Sequence, residues 1–203
     1  YTDIENLRHF PDIFETGENV YISSKMHGTN VRVSLIDGEL MAGSHLVRRK
    51  RPEDFEKSIY WFPLSIPQVH NMLVKLSESH NQVVLFGEIV GSSVQSLDYG
   101  FKNKLGFFAF DLFLDHKYQD YHKFLEICKE FGVETCPIDF VCPFDMNKVI
   151  ECSTDRGIFP DTLKEGCVIR PMHERHHEKI GRVILKYVSD EFLLSKKSDW
   201  KEV

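Results

Sequence analysis

Four charged side chains stand in apolar segments where a charge needs a reason. Lys25 closes the run Val20 to Ser24 and is followed by Met26-His27-Gly28-Thr29-Asn30, which puts an amine beside a tight turn. Glu88 lies within Phe86-Gly87-Glu88-Ile89-Val90-Gly91. Glu165 opens Glu165-Gly166-Cys167-Val168-Ile169-Arg170-Pro171, and Lys186 is enclosed in Ile184-Leu185-Lys186-Tyr187. A lone charge taken out of water is expensive, so each of these groups needs a partner. Taken by itself, Lys25 reads as a surface lysine beside a turn. Two acids and two lysines on strand segments instead suggest one shared polar site, and the chemistry that fits is nucleotidyl transfer through a covalent lysine.

The elements that must carry these residues follow from periodicity. Val20 to Ser24 is a short strand, and Val31 to Ile36 alternates up to Asp37-Gly38, a hairpin signal, with Glu39 to Gly43 as the return strand. Gln68 to Ser79 has helical apolar spacing, and Tyr121 to Phe131 is an amphipathic helix stopped by Gly132. Gln82 to Val90, the Phe-rich Leu105 to Leu114, Cys167 to Arg170 and Arg182 to Val188 are strands, and Lys148 to Thr154 is a weak helix. Strands pair first by hairpins and helices interrupt them later. The expected class is α+β with mainly antiparallel sheets flanked by helices, in one domain spanning residues 1–203.

Composition narrows the field. With 203 residues, 42% hydrophobic and 28% charged, the chain is an ordinary globular protein long enough to bury a core without disulfides. No apolar run approaches the ~20 residues of a membrane span. The net charge of −6 argues against a wholly basic nucleic-acid sleeve, while Arg48-Arg49-Lys50-Arg51 leaves room for a local basic patch. The five cysteines show no CxxC spacing and read as reduced, buried thiols, which places the chain in a reducing intracellular compartment, cytoplasm or nucleus. The chain opens at Tyr1 without a leader and reads as a fragment with material missing on its N-terminal side.

The ordered set Lys25-Met26-His27-Gly28-Thr29-Asn30, FGEIVG, FFAFD, EGCVIRP and LKY resembles the covalent nucleotidyltransferases, and within them the ATP-dependent RNA ligases similar to phage T4 RNA ligase 2. The Val-Ile-Arg-Pro ending is similar to that of the Deinococcus-type RNA ligases. The resemblance implies a nucleotidyltransferase (ATP-grasp-like) adenylyltransferase domain and, in the full-length protein, an N-terminal OB-type module. It implies three steps: lysine–AMP formation from ATP, AMP transfer to a 5′-phosphate end, and sealing of that end to a 3′-hydroxyl. Lys25 is then the nucleophile and Lys186 a phosphate contact. Glu88 and Glu165 hold Mg²⁺ or Mn²⁺ through water, and Asn30 touches the α-phosphate. Phe110 or Phe108 stacks on adenine. Ser24, His27, Arg32, Ser44, Arg48 and Arg170 complete the expected nucleotide surroundings. The implied partner is RNA with 5′-phosphate and 3′-hydroxyl ends. No membrane partner is expected, and the chain is expected to be a monomer.

The chain also departs from the family pattern. His27 and Asn30 stand, as in many RNA ligases, where DNA ligases and capping enzymes usually carry Asp and Arg. Ser24 stands where related ligases often carry an acid, and Val188 where a second Lys is common. Arg170, Arg182 or Lys179 are the substitutes the sequence offers for that lysine. The alternatives are a DNA ligase, a capping-type guanylyltransferase, and a non-catalytic RNA- or nucleotide-binding domain of the same fold. The cluster His173, Glu174, His176, His177 and Glu178 reads as an exposed loop rather than a metal site, since no helix or strand is expected to fix its ligands.

Overall fold

The computed structural model describes residues 3–15, 17–91, 93–97, 99–155, 159 and 161–195. The chain divides into two compact units, one comprising Tyr1–His27 and Cys136–Val203 and the other Gly28–Thr135. The sequence shows no boundary because neither crossing falls in a linker. One lies at His27–Gly28, inside the lysine motif, and the other at Thr135–Cys136.

The first unit is a five-stranded sheet in the order β1-β13-β10-β2-β9. Its strands are β1 (Glu5–Asn6), β2 (Asn19–Lys25), β9 (Ile138–Pro143), β10 (Gly166–Pro171) and β13 (Leu185–Val188). All pairings are antiparallel except that of β1 with β13. Opposed residues share a face of a sheet, and successive residues alternate between faces. Val20, Ile22, Cys167, Ile169, Leu185 and Tyr187 therefore point to one side, and all are buried in a core with Val149 and Cys152. Those last two come from helix α3 (Met146–Thr154), capped by the Asp145 side chain on the Asn147 N–H. Lys25, Ser23, Val168, Lys186 and Val188 point to the other side.

The second unit is a six-stranded antiparallel sheet, β5-β4-β3-β6-β7-β8. Its strands are β3 (Thr29–Ile36), β4 (Glu39–Gly43), β5 (Arg48–Arg49), β6 (Gln82–Val90), β7 (Gly106–Leu114) and β8 (Lys117–Tyr118). The expected hairpin forms at Asp37 and Gly38, with φ of 50° and 79°, the left-handed pair that a two-residue turn requires. Helices α1 (Pro67–Ser77) and α2 (Tyr121–Phe131) pack on this sheet. Gly132, at φ 69°, ends α2 as expected. Val31, Val33, Val83, Leu85, Ile89 and Leu112 are fully buried and alternate with the opposite face that carries Asn30, Arg32, Phe86 and Glu88.

The fold is thus α+β with mainly antiparallel sheets, as expected. Three details differ. Ile138–Pro143 forms an edge strand that Pro137 before it and Pro143 at its end concealed. The run Arg182 to Val188 splits into β12 (Gly181–Arg182) and β13. The expected histidine-rich loop is partly a hairpin, in which β11 (His176–His177) pairs with β12 and Glu174 grips the buried Arg182 through two hydrogen bonds of 2.6 and 2.5 Å. A short helix, α4 (Asp190–Leu193), follows β13, capped by Ser189. Among the described residues no helix is long and apolar enough to cross a membrane, and all five cysteines are free.

Gly166 opens β10 at φ 155°, and a Cβ there would sit 2.0 Å from the Tyr187 carbonyl oxygen. Gly181 also has positive φ, at 69°, but faces open space. Gly166→Ala is therefore expected to cost about 2–4 kcal/mol, against about 1 kcal/mol for Gly181→Ala, in urea unfolding of the two variants.

Candidate functional site

In the first unit, the nucleophile candidate meets its acid directly. Lys25 Nζ lies 2.7 Å from Glu165 Oε1, and His27 Nδ1 lies 3.2 Å from Glu165 Oε2. The register explains the meeting. Lys25 opposes Gly166, so the residue preceding Gly166 arrives at the end of β2 with its carboxylate beside the amine. The His27 ring sits edge-on against Phe192, with centroids 5.2 Å apart, which fixes its plane. Burial by itself would raise the Glu165 pKa. The Lys25 charge and the hydrogen bonds from His27 and Lys25 outweigh burial, and the carboxyl is held below its ordinary value.

Lys186 lies on the same face of the same sheet. It opposes Val168, which opposes Ser23, one step along β2 on the side that Lys25 occupies. Two strand spacings, about 9.5 Å, separate their strands. The two long side chains can therefore reach a common ligand. Arg170 is on that face too, and buried. Val188 opposes Gly166 directly, so the position where the family pattern often has lysine is an apolar neighbour of the Lys25 row.

Ser24 was expected among the nucleotide contacts. It points to the core face of β2, is 9% exposed, and donates its hydroxyl hydrogen bond to Asp139 Oδ2 at 3.0 Å. Asp139 and Lys164 escaped the sequence reading. Asp139 carried the kind of signal that exposed Glu88, a lone acid in the apolar run Ile138 to Cys142. Lys164 was masked by standing beside Glu165.

In the second unit, Asn30 opposes Glu88, and Glu88 opposes Phe108, so the three share one row across the sheet. Glu88 Oε1 accepts the Gly28 N–H at 3.0 Å. Gly28 approaches so closely that a Cβ there would lie 2.0 Å from the Ile89 carbonyl oxygen. The residue after His27 must therefore be glycine. Phe110 was paired with Phe108 by period two. The ladder instead slips between Phe86 and Gly87, Ala109 opposes Gly87, Asp111 opposes Phe86, and Phe110 is the extra residue of a bulge. The Ala109 N–H, on this irregular stretch, donates to the Glu134 carbonyl at 2.8 Å. Only Phe108 thus keeps the row with Glu88 and Asn30.

The next row runs Arg48, Gly43, Arg32, Phe86, Asp111. The Arg32 guanidinium donates to the His45 carbonyl at 2.8 Å, ordering the turn that contains Ser44. Ser44 Oγ accepts the Val47 N–H. Arg48 is exposed and paired with Glu39. Arg49 stacks on Tyr60 and Arg51 on Phe55.

A divalent cation suits each of these carboxylates, taken within its own unit, in one manner. Both Glu165 oxygens are engaged by Lys25 and His27, and Glu88 Oε1 holds the Gly28 N–H. A hard cation that retains its waters can be held by such carboxylates through those waters without displacing the protein donors. Asn30 Oδ1 is buried with no hydrogen-bond partner. An orphaned acceptor on the Glu88 row is chemically matched to a donor from a ligand or its water shell.

A family model described as RNA ligase matches residues 18–188. The chain belongs to the RNA ligase family. It resembles, at 18% identity and a TM-score of 0.78, a mutant Naegleria gruberi RNA ligase with ATP and Mn, the Naegleria RNA ligase with PPi, and another of its mutants with AMP and Mn. Each comparison covers 95% of this chain and 56% of the other, so the chain spans little more than half the length of those structures. No curated protein matches it.

Because the folded chain holds Glu165 below the ordinary carboxyl value, the unfolded chain binds its proton more readily. The stability this carboxylate contributes is complete above the ordinary value of 4.5 and is lost as pH falls through the lower folded value. In urea unfolding between pH 7 and pH 3, wild type is expected to exceed Glu165→Gln near neutrality, with the gap closing as the medium becomes more acidic than about pH 4.5.

Proposed function

We propose that this chain is the adenylyltransferase portion of an ATP-dependent RNA ligase and that Lys25 is its nucleophile. The observation that carries the reading is the Lys25–Glu165 pair at 2.7 Å, with Lys186 on the same face of the same sheet, in a chain of the RNA ligase family. Of the molecules named with the Naegleria structures, ATP and PPi are the reactant and the leaving group that such a first step would involve, and AMP is the moiety it would transfer.

In that step the unprotonated Lys25 amine attacks the α-phosphorus of ATP. The nitrogen–phosphorus bond forms, the bond from the α-phosphorus to its bridging oxygen breaks, and pyrophosphate leaves with the electron pair. A lysine amine carries a proton at neutral pH, so one proton passes to solvent before attack, and the nitrogen releases a second to solvent or to the departing pyrophosphate as the phosphoramide forms. Glu165 holds Nζ by a hydrogen bond and restricts its direction. Lys186 places a fixed positive charge where phosphate oxygens gain charge in the transition state. Asn30 meets the α-phosphate or its waters with a carboxamide, and Phe108 is the platform for adenine. Glu88 and Glu165 would hold Mg²⁺ or Mn²⁺ through water, and the ion would supply charge neutralisation at the phosphates. AMP then passes to a 5′-phosphate RNA end, and a 3′-hydroxyl displaces it. Arg49 and Arg51, exposed and stacked on aromatic rings, and the exposed Lys50 between them are suited to the RNA backbone.

Intact mass after incubation with each nucleoside triphosphate and Mg²⁺ or Mn²⁺ tests this. Wild type is expected to gain one AMP from ATP alone, Lys25→Ala none, and Lys186→Ala to react about 100-fold more slowly. A GMP adduct would turn the reading to capping chemistry. No adduct with any nucleotide would leave a binding domain.

A further inference from the structure

Behind the sheet that carries Lys25 lies a buried polar cluster that the proposed chemistry does not use. Asp139 Oδ2 receives the Ser24 hydroxyl at 3.0 Å, the Lys164 ammonium at 3.0 Å and the Cys152 thiol at 3.1 Å. The Asp139 side chain is 12% exposed and that of Lys164 is 7%. Lys164 Nζ also lies 3.6 Å from Cys152 Sγ.

The sequence positions of Ser24 and Lys164 are informative. Ser24 immediately precedes Lys25, and Lys164 immediately precedes Glu165. Asp139 therefore ties together the residues next to both partners of the 2.7 Å ion pair, from the face opposite to it. Asp139 can do this because β9 is irregular. Ile22 opposes Phe140 and Ser23 opposes Ile138, so Asp139 is the extra residue of a bulge and its side chain turns inward. Two further hydrogen bonds brace the same segments. The Ser24 N–H donates to the Pro137 carbonyl at 2.8 Å, and the Ser189 hydroxyl donates to the Lys164 carbonyl at 3.2 Å.

We propose that Asp139 is a positioning residue for lysine adenylylation, acting through Ser24 and Lys164 to hold the end of β2 and the start of β10 where Lys25 and Glu165 meet. The inference rests on the reading of Lys25 as the nucleophile. Stability is a poor reason for such a cluster, because a buried ion pair replaced by apolar groups of similar volume often leaves a fold as stable or more so. Geometry is a better one. A displacement of about 1 Å at a reacting atom can cost on the order of 100-fold in rate.

The experiment measures single-turnover lysine–AMP formation over a range of ATP concentrations. Asp139→Leu combined with Lys164→Met removes both charges together, and its urea midpoint is recorded alongside. Expected are a maximal rate at least tenfold below wild type, an unchanged half-saturating ATP concentration and a midpoint near that of wild type. Ser24→Ala, a small change that leaves the ion pair intact, is expected to slow the maximal rate and to add nothing further in an Asp139→Asn background. A wild-type maximal rate in the double variant would overturn the proposal. Should that variant fold poorly, the Ser24→Ala cycle decides, and additive effects overturn the proposal. A raised half-saturating ATP concentration in Ser24→Ala would also overturn it, by making Ser24 a direct nucleotide contact. A wild type that forms no adduct would overturn the reading of Lys25 itself, whereas equal adduct formation by wild type and variants overturns only the role of Asp139.

Discussion

Glu165 is the carboxylate on which the first unit's site depends. It accepts Lys25 on one oxygen and His27 on the other, with the carboxylate itself buried and the Lys25 side chain 24% exposed. Breaking one side of a buried pair commonly costs about 3–5 kcal/mol, since it strands the remaining charge. The arrangement in turn constrains the backbone. The carboxylate reaches the amine only if β10 begins one residue after it, opposite Lys25, and that start requires Gly166 beneath the Tyr187 carbonyl.

A histidine rather than a second acid at position 27 is consistent with this arrangement. A second carboxylate beside Glu165 would place two like charges in one poorly hydrated space and favour protonation of one of them. An imidazole does the reverse. It can donate a hydrogen bond to Glu165, and in so doing it helps hold the carboxyl ionised. The face of the second unit works by comparable economy. Glu88 fixes the turn that opens the unit through the Gly28 N–H, and it shares a row with Asn30 and Phe108.

Both sheets carry a bulge beside the residues of interest. In one, Phe110 is the extra residue, and Phe108 keeps the row with Glu88. In the other, Asp139 is extra and turns inward to Ser24, Lys164 and Cys152. A regular ladder could do neither, because a strict period of two commits every side chain in advance.

Much of this was legible in the residues. Lys25, Glu88, Glu165 and Lys186 announced themselves as charges in apolar strands, because desolvation makes an unpaired charge there untenable. The strands with clean alternation, the Asp37-Gly38 hairpin and the Gly132 helix stop were equally plain, since they depend on local backbone preference and on period. Tertiary pairing decided the rest. Which acid met Lys25 followed from the offset of β10 against β2, a register that sequence spacing over 140 residues cannot express. The turning of Ser24 to the face opposite Lys25, the place of Phe108 rather than Phe110 on the Glu88 row and the entry of Asp139 each hang on a strand neighbour or a bulge. Hydrophobic periodicity records which face is buried. It does not record which strand lies alongside, or where a ladder slips by one residue, and those two facts aim the side chains.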